Sequence, residues 1–166
     1  MKKIFVYVGD GATQSKDIIL ALKKLKIKVS KIDEKEIISG RLDKHSILFV
    51  PGGWPQKYVK SLGKNGFVEL RKFVKNGGCY VGICAGSYLA LNKFEVVGKH
   101  RGLNLIHCQA PPRKIFHHGI MRTLKIVDTQ HPITKGYPKT SKIFYMNGPL
   151  LKPNKNINDI ARFDNG

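Results

Sequence analysis

Apolar residues along this chain gather into short β-like runs that alternate with helical spacings. "KIFVYV" (Lys3–Val8) is apolar and partly β-branched, and it closes on the turn signal "GDG", which predicts a first strand. Ile18, Ile19, Leu22 and Leu25 then recur on one face of a helix that Ser15 can cap and that runs through Lys26. "IKVSKID" (Ile27–Asp33) alternates as a second strand does. "SILFV" (Ser46–Val50) is nearly continuously apolar, the pattern of a strand covered on both faces, and it stops at "PGGWP". Phe67, Leu70, Phe73 and Val74 share one side of a second helix that ends at "NGG", a glycine C-cap. "CYVGIC" (Cys79–Cys84) reads as a strand, and "GSYLALN" (Gly86–Asn92) opens a helix.

Strands alternating with helices across short connections pair in parallel through right-handed crossovers. The expected fold class is therefore α/β, an open, doubly wound, mostly parallel sheet that binds ligands at the carboxyl ends of its strands. Three glycine-bearing turns fall at those ends: "GDGAT" (Gly9–Thr13), "PGGWP" (Pro51–Pro55) and "GICAGS" (Gly82–Ser87). Beyond Phe94 the pattern becomes more β-like, in "GIMRTLKIVD", "SKIFYMNGP" and "INDIARF", which predicts extra C-terminal strands. The final "DNG" is a hairpin-turn signal with no returning strand, so the expectation is one domain over residues 1–166, cut short at its C-terminus.

Composition narrows the class. The 166 residues suffice to bury a core without disulfides or metals, and 42% apolar with 25% charged residues describes a globular chain. No apolar run approaches the roughly 20 residues of a membrane span. The lysine-led start imitates a secretory signal, but its apolar run stops at Asp10 and no small-residue cleavage site follows. Three cysteines, an odd number, argue against a disulfide framework and for a reducing cytoplasm. The 30 Lys+Arg against 11 Asp+Glu give a net charge of +19, a field that attracts nucleic acid or anionic surfaces. That charge is mostly lysine spread from Lys2 to Lys155, without an Arg-rich block or an aromatic-interleaved stripe, so a solvated basic surface is favoured over a dedicated nucleic-acid site.

The chemistry concentrates in "GGCYVGICAGSYLA" (Gly77–Ala90). A small-x-Cys-x-small turn between strand and helix can hold a nucleophile on a sharp bend, with small neighbours that let a substrate approach the backbone. Gly82, Cys84 and Gly86 supply that arrangement. The helix start favours a thiolate and lends amide donors to a developing oxyanion, and Gly52-Gly53 at the neighbouring strand end offers a second donor. The plainer alternative is a small residue that the turn itself requires.

"VGICAGSYLAL" together with "FVPGGWPQKYVKSL" resembles the class I glutamine amidotransferase-like superfamily. "VYVGDGATQSKDIILALKKL", "HPITKGYP" and "IFYMNGPLL" bring the resemblance closer to the N-terminal amidotransferase-like domain of biotin–protein ligases and its stand-alone bacterial relatives. That resemblance implies a flavodoxin-like sheet, Cys84 as nucleophile, the Gly53 and Ala85 amides as oxyanion hole, and Asp10, Gly11 and Ala12 beside the pocket. It also implies a His-x-Glu base, which this sequence does not contain, and Ala85 stands where a related protease and chaperone branch has histidine.

Gly52, Trp54, Gly86, Ser87, Tyr145 and Asn147 complete the candidate pocket, Trp54 either as a wall or packed beside the turn. His107, His117 and His118 are candidate bases or plain surface histidines. With Cys108 they fit no standard zinc spacing, so no metal is expected, and with no biotin- or ATP-binding signature in the sequence no cofactor is expected either. Cys79 reads as a small buried hydrophobe, and Tyr88 and Leu89 as core. Two function classes compete: an amidase or amidotransferase working through Cys84, and a non-catalytic binding or regulatory module using the same pocket. The ligand expected in either case is a small-molecule amide or an anion. A catalytic partner, fused or separate, is a further expectation. A basic nucleic-acid binder is the third reading.

Overall fold

The computed structural model describes residues 2–112, 119–152, 154 and 156–164. Four parallel strands, β1 (Lys3–Tyr7), β2 (Ser30–Ile32), β3 (Ser46–Val50) and β4 (Cys79–Gly82), form a sheet in the order β2-β1-β3-β4. Register is continuous across it: Phe5 pairs with Ser30 on one side and Leu48 on the other, and Leu48 pairs in turn with Tyr80. Val6, Ile32 and Leu48 are fully buried, as strands covered on both faces require.

Helix α1 (Ser15–Lys24) follows β1, α2 (Glu34–Ile38) follows β2, and α3 (Pro55–Lys75) joins β3 to β4. Right-handed crossovers send α1 to one face of the sheet and α2 and α3 to the other, where these two pack together. Helix α3 is broken at Gly63, whose φ of 54° and ψ of −162° are not helical. Its apolar side carries Tyr58, Leu62, Phe67, Leu70 and Phe73 into the main core against Phe5, Ile37, Leu48 and Leu89. The short α4 (Ala85–Ala90) leaves β4 and leads into a hairpin of β5 (Lys93–Glu95) and β6 (Lys99–Arg101). Tyr88, Leu91, Phe94 and Val96 form a second, smaller core there, with the Tyr88 and Phe94 rings 5.8 Å apart. A separate antiparallel sheet of β7 (Ile120–Ile126), β8 (Thr140–Tyr145) and β9 (Ala161–Phe163), ordered β8-β7-β9, supplies the C-terminal strands.

Several local expectations are corrected. Gln14, not Ser15, occupies the N-cap of α1, and no side chain caps it; the helix ends at Lys24 because Lys26 turns to a φ of 57°. The second strand is only three residues long. Its end is claimed by α2, where Asp33 accepts from the Glu36 amide at 2.9 Å and Glu36 accepts from the Asp33 amide at 3.1 Å. This reciprocal capping box nucleates a helix the apolar pattern did not reveal. Helix α4 stops at Ala90, where Leu91 turns extended and the β5–β6 hairpin takes over. Cys79 is half-buried rather than buried. Among the described residues no helix is long and apolar enough to cross a membrane.

Close backbone packing fixes the position of α4. A Cβ on Gly86 would collide with the Val50 carbonyl, and one on Gly82 would come within 2.6 Å of the Gly86 carbonyl oxygen. Gly86→Ala is therefore expected to lower stability by about 1–3 kcal/mol through overpacking, measured by urea denaturation.

Candidate functional site

A cleft of about 200 Å³ opens at the carboxyl end of the parallel sheet, beside the point where the chain leaves β1 for β2 on one side and reaches β3 on the other. The loop after β1 lends it Thr13 and Gln14, and the loop after β3 lends Gly53, Trp54 and Pro55. Cys84 and Ala85 form its floor at the β4–α4 turn, Tyr88 and Val96 one wall, and Met146 and Asn147 enter from the loop after β8.

Cys84 is the N-cap of α4 and sits at φ 52°, ψ −104°. A non-glycine residue held at positive φ costs about 1–3 kcal/mol, so the surroundings must impose it. They do so through backbone bonds on either side. Ile83 N–H donates to the Val50 carbonyl at 2.9 Å, and Gly86 N–H donates to the carbonyls of Pro51 and Ile83 at 3.1 and 3.0 Å. Ser87 Oγ donates to the Gly82 carbonyl at 2.8 Å, and the amides of Ser87 and Tyr88 close the turn on the Cys84 carbonyl.

The loop after β3 is held as firmly. The buried Tyr58 hydroxyl donates to the carbonyls of Pro51 at 3.0 Å and Gly52 at 3.3 Å. Burial above all, then proximity to Tyr7 and to Cys84, pushes the Tyr58 phenol well above its usual value, so it stays a neutral donor. Gln14 N–H donates to the Gly52 carbonyl at 3.2 Å and Trp54 N–H to the Gly11 carbonyl at 3.0 Å. Gly53, at φ 152°, packs so closely on Gly11 that a side chain there would strike the Gly11 carbonyl.

Two amides in the cleft stand apart from this stitching. Among the described residues, neither the Gly53 nor the Ala85 N–H takes part in a backbone–backbone hydrogen bond, while their neighbours Trp54 and Gly86 both do. Ala85 opens α4, where the first amides have no intrahelical acceptor.

Of the residues singled out in the sequence, Gly53, Trp54, Ala85 and Asn147 line the cleft with Cys84. Gly52 lies directly beneath it, where a Cβ would stand 3.3 Å from that of Cys84. Gly86 and Ser87 serve the turn rather than the cleft surface. The Tyr145 hydroxyl donates to the Gly148 carbonyl at 2.8 Å, and a Cβ on Gly148 would stand 4.0 Å from the Cα of Cys84, so Tyr145 shapes the loop that overhangs the cysteine.

Asp10 and Gly11 line a separate, more open depression with Asp33 and Glu34, and Asp10 pairs there with Lys57 at 3.3 Å. His107 is exposed and away from the cleft lining, and its carbonyl accepts from the Asn154 side chain. His117 and His118 lie outside the described residues. The Cys108 thiol donates to the Lys152 carbonyl at 2.8 Å, and partial burial raises its pKa. Among the described residues no group of three or more His, Cys, Asp and Glu is placed to hold a metal ion. Thr13, Gln14, Pro55, Tyr88, Val96 and Met146 were not anticipated in the cleft; of these, Tyr88 follows Cys84 by one helical turn, a spacing that places it on the same face.

The fold belongs to a known class. It superposes on a protein described as a GMP synthase subunit from Thermoplasma acidophilum with a TM-score of 0.62 at 14% identity, over 99% of this chain and 74% of that one. The PurLQS structure from Thermotoga maritima gives 0.67 at 18% identity, over 99% and 76%. These are flavodoxin-like glutamine amidotransferase folds. The family model "Biotin-protein ligase, N terminal" matches residues 2–123, and the chain belongs to that family. It is also similar to the imidazole glycerol phosphate synthase subunit HisH of Chlorobium chlorochromatii, 32% identical over 115 residues, 68% of this chain and 53% of that protein. A biotin–protein ligase of Schizosaccharomyces pombe is 40% identical over 43 residues, 26% of this chain and 7% of that protein. The chain thus spans about half the length of the HisH relative.

Because the Tyr58 hydroxyl ties the cleft's β3 loop to its helix, Tyr58→Phe is expected to cost about 1 kcal/mol, read from the midpoint of urea unfolding at unchanged slope.

Proposed function

We propose that the cleft receives the carbonyl end of a small amide, with Cys84 as nucleophile and the Gly53 and Ala85 amides as oxyanion donors. The observation that carries this reading is the pair of backbone N–H groups outside the local hydrogen-bond network, both lining the same cleft as a cysteine held at positive φ. Attack of the thiolate on the amide carbon forms the C–S bond and moves the carbonyl electrons onto oxygen, where the two amides stabilise them. Collapse breaks the C–N bond, and ammonia leaves with the proton that came from the thiol. Water then cleaves the thioester to the acid and regenerates the thiol. The proton must be carried by a base. One of the named relatives is part of a synthase, and a partner chain or fused segment is the proposed source of that base. A free thiol suits a reducing cytoplasm, the proposed location.

A second reading is a binding or regulatory module that uses the same donors without turnover. What favours it is the lining: among the described residues, no histidine, carboxylate, lysine or arginine faces the cleft. The surplus of positive charge is read as solvated surface, with nucleic acid not proposed as a partner.

Alkylation and amide turnover separate the two. Cys84 is expected to react with iodoacetamide about tenfold faster than Cys108 at pH 7, because the raised pKa of Cys108 leaves it protonated until higher pH. Equal rates would remove the basis for a nucleophile. Ammonia release from amides, abolished by Cys84→Ala, supports turnover. Ligand-dependent stabilisation without ammonia release supports the binding module.

A further inference from the structure

From the chemistry of its walls, and resting on the carbonyl-binding reading above, we infer that the Cys84 cleft selects an uncharged amide with an apolar tail over a zwitterionic amino-acid amide such as glutamine. Leading away from the two amide donors, the cleft is bounded by Trp54, Pro55, Tyr88, Val96 and Met146. Tyr88 and Val96 are only 3% exposed and belong to the second core with Leu91 and Phe94, so this wall is packed before any ligand arrives. A preformed wall of this kind rewards apolar surface without an ordering cost. Among the described residues, the polar side chains that join it, Thr13, Gln14 and Asn147, are all neutral. They can hydrogen-bond a carboxamide but cannot neutralise an ammonium or a carboxylate. An amino-acid amide would bring both charges against Trp54 and Met146, where taking them from water without a partner is costly. At about 200 Å³ the cleft takes a short tail rather than a drug-sized ligand.

Trp54 is the chain's single tryptophan and is 43% exposed at the cleft, so its fluorescence reports occupancy without any turnover. Hexanamide and glutamine, each titrated against the full chain, test the inference, with slowed iodoacetamide labelling of Cys84 as a second readout. Hexanamide is expected to shift Trp54 emission and protect Cys84 at concentrations where glutamine does neither. Met146 is 45% exposed and can be trimmed without opening a core. Met146→Ser is expected to weaken hexanamide about threefold to tenfold by removing apolar contact. Glutamine binding as tightly as hexanamide, binding of neither, or indifference to Met146→Ser overturns the inference. Hexanamide binding with Cys84 labelled by iodoacetamide no faster than Cys108 leaves the apolar preference standing and removes only the nucleophilic reading. Cys84-dependent ammonia release from glutamine but not from hexanamide does the reverse.

Discussion

The cleft depends on a set of backbone hydrogen bonds that sew three loops into one surface. The Pro51 carbonyl accepts from the Tyr58 hydroxyl and the Gly86 amide. The Gly52 carbonyl accepts from the same hydroxyl and from Gln14, and the Gly11 carbonyl accepts from Trp54. These residues come from the ends of β1, β3 and β4 and from the first turns of α3 and α4. Main-chain groups at strand ends must find partners when buried, and here they find one another. A side chain at Gly53 would strike the Gly11 carbonyl and one at Gly86 the Val50 carbonyl, both acceptors in this network, while one at Gly52 would strike the Gln14 side chain, so the glycine frame is a packing requirement before it is a chemical one.

What the stitching leaves over is as informative as what it uses. Cys84 is held at positive φ between two anchored amides, Ile83 and Gly86, and among the described residues the Ala85 amide makes no backbone–backbone bond. Gly53 is bypassed in the same way between Gln14, which bonds the preceding carbonyl, and Trp54. The strain stored at one residue and the two amides outside the backbone–backbone bonding of the described residues occur in a single arrangement. With only six residues, α4 adds a small dipole, so any stabilisation of negative charge rests on these individual N–H groups.

The parallel core was legible in the sequence because each of its signals is local. Continuous apolar runs mark β1 and β3, the Phe67–Leu70–Phe73 spacing marks α3, and glycines punctuate the strand ends. Where reading failed, a polar or long-range interaction decided the outcome. Helix α2 owes its existence to an Asp33–Glu36 capping box, which an apolar pattern cannot express. The β5–β6 hairpin gains from Phe94 packing on Tyr88 and on His100, a contact only the folded chain creates. The cleft divides along the same line. Cys84, Gly53 and Ala85 were visible as a turn motif beside a double glycine, whereas Val96 and Met146 arrive from elements that no local pattern ties to that turn. Asp10, which the resemblance puts beside the pocket, lines the neighbouring depression with Asp33 and Glu34, and Thr13 borders both.

That division bears on how specificity is built. The family match, residues 2–123, contains the floor of the cleft and one wall, including Gly53, Cys84 and Ala85. Met146, Asn147 and Gly148 lie beyond it, on a loop carried by the β8-β7-β9 sheet. None of the buried apolar core residues described comes from that sheet, whose inward positions such as Leu124, Ile143 and Phe163 are only half-buried. The loop that overhangs the cleft is therefore carried by a sheet that adds nothing to the buried core described, whereas the floor packs directly on it. Floor and overhang meet at Cys84, with Gly148 close against its Cα. On the proposed reading, the backbone of the stitched loops would bind the carbonyl and the side chains around it would choose what the carbonyl is attached to. Under that proposal the tail of the ligand would be retuned at Met146, which follows β8 and lies on a different element from Gly53 and Ala85.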